Sequence, residues 1–437
     1  MIKMDQRRIY PYIISCLFSF LYFYFASYSG LIYDGGLYAS LACSLLNGRY
    51  QFNNRPGDVP PGYPITMSLF MGILGMDGYH YASPLFAVLT LLLLYYIISK
   101  ESNPHIAMIS TLLLGLSPVY MEVATRTTPD TLLLFLTLLT YILNDFGGLF
   151  RTFSVIPATS AFLTKYSAAV YLLPVLYEHV RSKPNVKRCI FQLCLIIMMI
   201  SPWVYWSMSN HGTPLVSHSA YLIRYIGGNI EYSLRVVLLR FYIYLPFPVF
   251  ILSIVGWLSG RESTWTQRSF LLFILPVIAN ILWYHPTLRY LLIAHASILI
   301  AASHSINKFS RRLILCVFLL CVIFQCKSGL SLTYSHNWTF SLIEDAGIWL
   351  RTHWVGNITI LAQSYRQVHF FSGKVTYYFP EEMRVDRYIK EMNVSIIIID
   401  SYEKTTPKYV YYHFKFYPYL VEFRDRRGFV IVKAVPG

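Results

Sequence analysis

The 437-residue chain contains no Walker phosphate loop, no GxSxG elbow and no HExxH pair, so any chemistry must come from dispersed ionisable groups. Ten stand out in apolar surroundings: Asp34, Asp58, Glu122, Arg126, Asp130, Lys165, His211, His218, Arg224 and Arg289. Carboxylates of this kind can take a proton, and guanidinium or ammonium groups can hold an anion. Each one alone has a plainer reading, because a charge at a helix end can sit among lipid headgroups and Lys or Arg can snorkel toward water. Together they come from five or six separate connections at one depth on one side of a bilayer, which is what a site at a membrane face requires.

The elements that carry them follow from composition. With 55% hydrophobic, 17% aromatic and 13% charged residues, the chain has the balance of a membrane protein. A bilayer-crossing helix needs roughly 20 mostly apolar residues. About eleven segments approach that, near 9–29, 82–99, 105–121, 130–144, 152–164, 166–180, 189–206, 236–258, 269–284, 290–305 and 312–327. The expected fold class is an α-helical polytopic membrane protein with a small C-terminal extracytoplasmic α/β domain, divided into residues 1–327 and 328–437.

Lys3, Arg7 and Arg8 precede the first apolar run, and Lys100, Arg151, "RSKPNVKR" (181–188), Arg261 with Arg268, and "NKFSRR" (307–312) fall in alternate connections. This positive-inside pattern places the N-terminus in the cytoplasm, and an odd number of spans puts the tail outside. It also argues against nucleic acid as the partner of the basic excess. The first apolar run is too long for a cleavable signal and lacks a small-residue cleavage site, so it reads as a retained span. The seven cysteines lie in or beside apolar segments without CxxC spacing, which indicates packing rather than disulfides or zinc.

Residues 30–81 form a long first external loop. In it "GLYASLACSLLNG" aligns Leu37, Leu41 and Leu45 on one helical face, predicting a surface helix that begins after Asp34 and its two glycines and ends at Gly48. "RPGDVPPGYP" (55–64) predicts a turn without regular structure, and "ITMSLFMGILGM" a second surface helix. Beyond Lys327 the pattern predicts a helix in "FSLIEDAGIWLRTHW", strands in "ITILAQ" and "VHFFSG", a helix in "EEMRVDRYIKEMN", a buried strand in "VSIIIID" and a hairpin about Asp425 to Gly428. The three Asn-x-Ser/Thr sequons, Asn337, Asn357 and Asn393, all lie in this tail, as suits an external segment.

Five stretches carry a resemblance: "YDGGLYASLACSLLNGRY", "DVPPGYPITMSLFMGILGMDGYHYASPLFAVLTLLLLYYI", "ATRTTPDTLLLFLTLLTYIL", "AFLTKYSAAVYLLPVL" and "PWVYWSMSNHGTPL", with "HPTLRYLLIAHASILIAAS" as a weaker sixth. In this order the chain resembles GT-C glycosyltransferases, similar to the dolichyl-phosphate-mannose protein mannosyltransferases and the bacterial aminoarabinose lipid A transferases of glycosyltransferase family 39 and its relatives. It departs from them where Gly35 follows Asp34 in place of a second acid, and where Val59 stands in place of a basic residue common in the aminoarabinose transferases.

The resemblance implies transfer of a sugar from a polyprenyl phosphate, dolichyl or undecaprenyl, to a protein, glycan or lipid acceptor at the extracytoplasmic face. Such a transfer needs a base for the incoming hydroxyl, cations for the leaving phosphate and a water-poor pocket. Asp34 is then the expected base of an inverting reaction, beside glycines that let backbone and substrate approach closely. Lys165 and Arg289, with Tyr290 beside it, are expected at the phosphate, and Arg126 and Arg224 as further substrate-binding residues. Asp130, four residues after Arg126, can pair with it if that turn is helical, and belongs to the active site by family position. Asp58 with His211 or His218 offers an incomplete ligand set for a divalent metal, which such transfer does not always need, and no other cofactor is implied. A transporter or flippase for a lipid-linked sugar is the competing class, expected to show repeated halves and broken helices at the midplane. An oligosaccharide-transferring relative is expected to carry Trp-Trp-Asp in the tail, which "HNWTF" and "IWLRTHW" do not supply.

Overall fold

The structure, a computed structural model, describes residues 6–181, 186–214, 216, 246–260, 262–282, 288–306, 311–337, 340–403, 405–426 and 428–436. Apolar runs ahead of the C-terminal sheet become helices, several with a proline inside. In chain order the first are α1 (Gln6–Ser27), α2 (Tyr33–Leu46), α3 (Gly62–Leu74), α4 (Ala82–Glu101), α5 (Pro104–Gly115), α6 (Pro118–Thr125), α7 (Asp130–Phe146), α8 (Gly148–Phe153), α9 (Val155–Thr164), α10 (Ala168–Arg181) and α11 (Val186–His211). Helices Phe247–Ser259, Thr264–Leu282, Leu292–Ile306 and Arg311–Asn337 follow.

Among the described residues four helical segments are long and apolar enough to cross a membrane: Arg7–Ser27, Met76–Glu101, Val186–His211 and Cys316–Tyr334. A fifth is α5 with α6, bent by 67°. The bend has a local cause. Ser117 precedes Pro118, which biases it out of the helical region, and its hydroxyl then caps α6 by accepting from Tyr120 N. The segment expected at 152–164 is likewise two short helices, α8 and α9, and the last apolar helix runs on through Lys327 to Asn337.

The main cluster of the helical core includes Phe18, Tyr22, Leu91, Tyr120, Leu138, Tyr141 and Phe318. Tyr22 donates its hydroxyl to the Gly115 carbonyl at 2.6 Å, tying α1 to α5 without leaving a buried polar group unpaired. Leu292–Ile306 is buried on nearly every side, as expected for a helix apolar all round. It packs against Phe247–Ser259, where a Cβ on Gly256 would lie 2.0 Å from the Ala301 carbonyl oxygen.

At the C-terminal end five strands, β3 (Thr359–Ala362), β4 (Val375–Tyr377), β5 (Val394–Asp400), β6 (Tyr419–Arg424) and β7 (Phe429–Ala434), form a sheet of order β4-β3-β5-β7-β6. β3 runs parallel to β4 and β5, and β7 pairs antiparallel with β5 and β6, the latter through the expected hairpin. Both faces are covered. Ile396 and Ile398 pack with Ile343 and Leu350 of helix Ser341–His353, while Ile397 and Ile399 pack with Val385, Val410 and Phe414 on the other side. That explains why β5 is a continuous apolar run instead of an alternating one.

Three expectations fail locally. α2 begins at Tyr33, so Asp34, Gly35 and Gly36 lie in its first turn and do not precede it. Residues 55–64 are not free of regular structure, because β2 (Arg55–Pro56) pairs with β1 (Gln51–Phe52) across Asn53 and Asn54, both at positive φ, the geometry of a tight hairpin turn. "VHFFSG" is not a strand but the end of helix Tyr365–Ser372, closed by Gly373 at φ 66°. Its Gly is a left-handed helix cap, and the helical spacing lets Phe370 and Phe371 face the cluster under α2 and α3 while Val368 faces the sheet.

Candidate active site

Asp34 sits in the first turn of α2, where the helix dipole favours an acid. Its Oδ2 accepts from Arg289 Nη2 at 2.9 Å and its Oδ1 from Arg366 Nη1 at 3.2 Å. Arg289 comes from the 3-10 turn Leu288–Leu291 and Arg366 from helix Tyr365–Ser372. Burial pushes the Asp34 carboxyl up, but the Arg289 guanidinium, then Arg366 and Lys165, outweigh that and hold it below the ordinary carboxylate range.

The two glycines after Asp34 serve the protein's own packing. A Cβ on Gly35 would lie 3.2 Å from Thr127, and one on Gly36 would lie 2.7 Å from the Gln367 nitrogen and 2.8 Å from the Arg366 carbonyl carbon. Backbone therefore approaches backbone at Gly36, where a closely approaching substrate was expected. The β1–β2 turn adds a second clip, since Asn53 Nδ2 donates to the Thr376 carbonyl at 2.8 Å and its Oδ1 accepts from Thr376 N at 3.0 Å.

Asp130 opens α7 and accepts from Lys165 Nζ at 2.8 Å. Lys165 follows the end of α9 in extended backbone, which turns its side chain across to α7. The expected Arg126–Asp130 pair does not form. Arg126 is extended and followed by a turn ending at Pro129, so the two residues do not share a helix, and Arg126 pairs with Glu122 at 2.7 Å on α6. The second Asp130 oxygen, Oδ2, is buried without a hydrogen-bond partner, and a water-sized cavity is lined by both Asp130 and Arg289. The cavity joins the two ion pairs.

Tyr290 lies on the same turn as Arg289. Asp58 is exposed, and His211 meets the neighbouring Gly57 carbonyl through Nε2 at 3.0 Å within a cluster that includes Trp206, Trp203 and Tyr50. No group of three or more His, Cys, Asp or Glu side chains suited to a metal occurs among the described residues. His218 and Arg224 lie outside the described residues.

Arg366 is the residue that sequence reasoning missed. It belongs to no motif and meets Asp34 across 332 positions. The one trace in the sequence is Gly36, whose missing side chain makes room for it.

Apolar helices, the 30–81 segment packed on them and a small C-terminal sheet beside a charged site make up a fold that solved membrane glycosyltransferases share. Residues 58–206 match the model of the family described as dolichyl-phosphate-mannose-protein mannosyltransferase. The structure is similar to that of ArnT from Cupriavidus metallidurans bound to undecaprenyl phosphate, at 12% identity and a TM-score of 0.70, covering 96% of this chain and 97% of that one. The apo form of the same protein gives a TM-score of 0.71 at 11% identity, with the same coverage. The Archaeoglobus fulgidus oligosaccharyltransferase in complex with Zn and sulfate is similar at a TM-score of 0.60 and 11% identity, over 91% of this chain and 68% of that one. No curated protein matches significantly in sequence. The resemblance read from the sequence motifs therefore holds at the level of fold.

Proposed function

We propose that this chain is an integral-membrane glycosyltransferase that moves a sugar from a polyprenyl phosphate to a hydroxyl of a protein, glycan or lipid acceptor. The observation that carries it is one carboxylate, Asp34, held between two guanidiniums, with the Lys165–Asp130 pair beside it. Asp34 takes the acceptor's hydroxyl proton as its oxygen attacks the anomeric carbon from the face opposite the phosphate, so the configuration inverts. The bond from that carbon to the phosphate oxygen breaks, and its electron pair stays with the phosphate. Arg289 and Lys165 neutralise the charge that develops there, Arg bidentately and Lys as a point charge. Asp130 orients Lys165, and Arg126, Tyr290 and Arg224 complete the substrate contacts.

The reaction is proposed at the extracytoplasmic face, with the N-terminus cytoplasmic, about eleven spans of which the last ends near Tyr334, and the remainder external. A donor on an undecaprenyl or dolichyl phosphate is consistent with the similarity to ArnT, which was solved with undecaprenyl phosphate bound. In nanodiscs with a polyprenyl-phosphate sugar, Asp34→Asn is expected to fold and bind donor yet turn over about 10²- to 10⁴-fold more slowly. Near-normal turnover removes Asp34 from the mechanism.

A further inference from the structure

Asp34 accepts two charge-assisted hydrogen bonds from the chain's own arginines, and a carboxylate so engaged is a poor proton acceptor. One of its donors is built in from the far end of the sequence. Arg366 Nε donates to the Tyr365 hydroxyl at 3.1 Å, its guanidinium lies 5.6 Å from the centre of the Tyr365 ring, and its side chain is 20% exposed. The backbone that carries it is pressed against Gly36, two residues from Asp34. The helix that carries the guanidinium is thus held at the site by main-chain contact.

A phosphate offers the same forked donors an alternative partner, because its oxygens match guanidinium geometry as a carboxylate's do. We propose that Arg366 is a further residue for the donor phosphate, and that Asp34 is the internal anion this phosphate displaces from Arg289 and Arg366, which frees the carboxylate to act as the base. The inference rests on the transferase reading above. Donor must then bind before the base is competent. On transfer the acceptor's proton goes to Asp34, the anomeric carbon exchanges its phosphate oxygen for the acceptor oxygen, and the departing phosphate monoester keeps the electron pair. When that monoester leaves, Asp34 gives its proton to water and pairs again with the two arginines.

The test is binding of undecaprenyl phosphate and of dolichyl phosphate to the full chain in zwitterionic nanodiscs. Against wild type, Asp34→Asn is expected to bind one or both more tightly by about fivefold or more, as removal of a competing partner should. Arg366→Gln is expected to bind more weakly, and Arg366→Lys between the two. Placing Asp34→Asn in the Arg366→Gln background separates exchange from simple charge repulsion: the gain must shrink by about half or more if the two side chains compete through this contact. An unchanged gain, an absence of gain in Asp34→Asn, or wild-type affinity in Arg366→Gln overturns the inference and leaves the transferase reading standing. If wild type binds neither lipid phosphate, both fall together. Arg366→Lys keeps the question answerable should the Gln variant not fold.

Discussion

Arg289 reaches Asp34 from a four-residue turn directly before a buried helix, and its side chain is 29% exposed. In the proposed reaction it matters most when the phosphate gains charge as the sugar departs, so its contribution belongs to the transition state. Arg289→Lys is expected to keep part of the turnover and Arg289→Ala very little, measured with purified donor. Equal turnover in wild type and Arg289→Ala returns the residue to a packing or headgroup role. Glu344 gives a separate residue-scale test. Burial, then Asp345 and Asp77, push its carboxyl up to about 7, so the folded state disfavours its charged form. Its unfolded value lies near 4.3, roughly. Stability is therefore lost as pH rises from the ordinary carboxylate range through about 7. Thermal unfolding should show Glu344→Gln more stable than wild type at pH 8, with the difference vanishing at pH 4; a pH-independent difference would refute the assignment.

Among the elements, the helix ends opposite the site are held by a different kind of contact. Arg268, in the first turns of Thr264–Leu282, donates to both Glu178 oxygens at 2.6 Å and also pairs with Asp145. It lies 5.6 Å from the Tyr141 ring centre and 5.2 Å from that of Trp265. In the loop pattern Arg268 was counted as a surface cation; the structure buries it to 4% exposure among α7, α10 and its own helix. Removing one partner of such a set strands the others, which typically costs about 3–5 kcal/mol. Arg268→Ala is expected to lower the melting temperature sharply while leaving lipid-phosphate affinity of the surviving folded protein unchanged. A variant that melts like wild type would show that the cluster is solvated.

For the molecule as a whole, the proposed topology sets the site and the C-terminal sheet on one side and Lys100 on the other. In a background lacking the seven native cysteines, a cysteine at Thr352 is expected to react with an impermeant thiol reagent in intact cells and one at Lys100 only after lysis. Both positions are exposed in the structure, so failure to label is not a matter of burial. The reverse pattern overturns the orientation. The same packing ties the tail to the site: helix Tyr365–Ser372 packs on α2, and Asn53 clips the first loop to the sheet edge at Thr376.

What the sequence determined by itself is what depends on local spacing. Apolar runs and proline positions made many of the helices legible, and the "VSIIIID" strand, the final hairpin and the two helices of the first loop were readable for the same reason. Asp34, Lys165, Asp130 and Arg289 could be singled out because an ionisable residue in an apolar neighbourhood is conspicuous without knowing its partner. Their partners were another matter. Arg126 turned to Glu122 once Pro129 ended the turn, Lys165 crossed to Asp130, and Arg366 arrived from a segment that reads as an ordinary amphipathic helix. An ion pair is fixed by distances of about 3 to 4 Å between side chains, and a one-dimensional pattern holds no information about distance across 255 or 332 positions. Only tertiary packing, of α2 against a helix that Gly36 admits and of the Leu288–Leu291 turn beside it, decided which cations Asp34 meets.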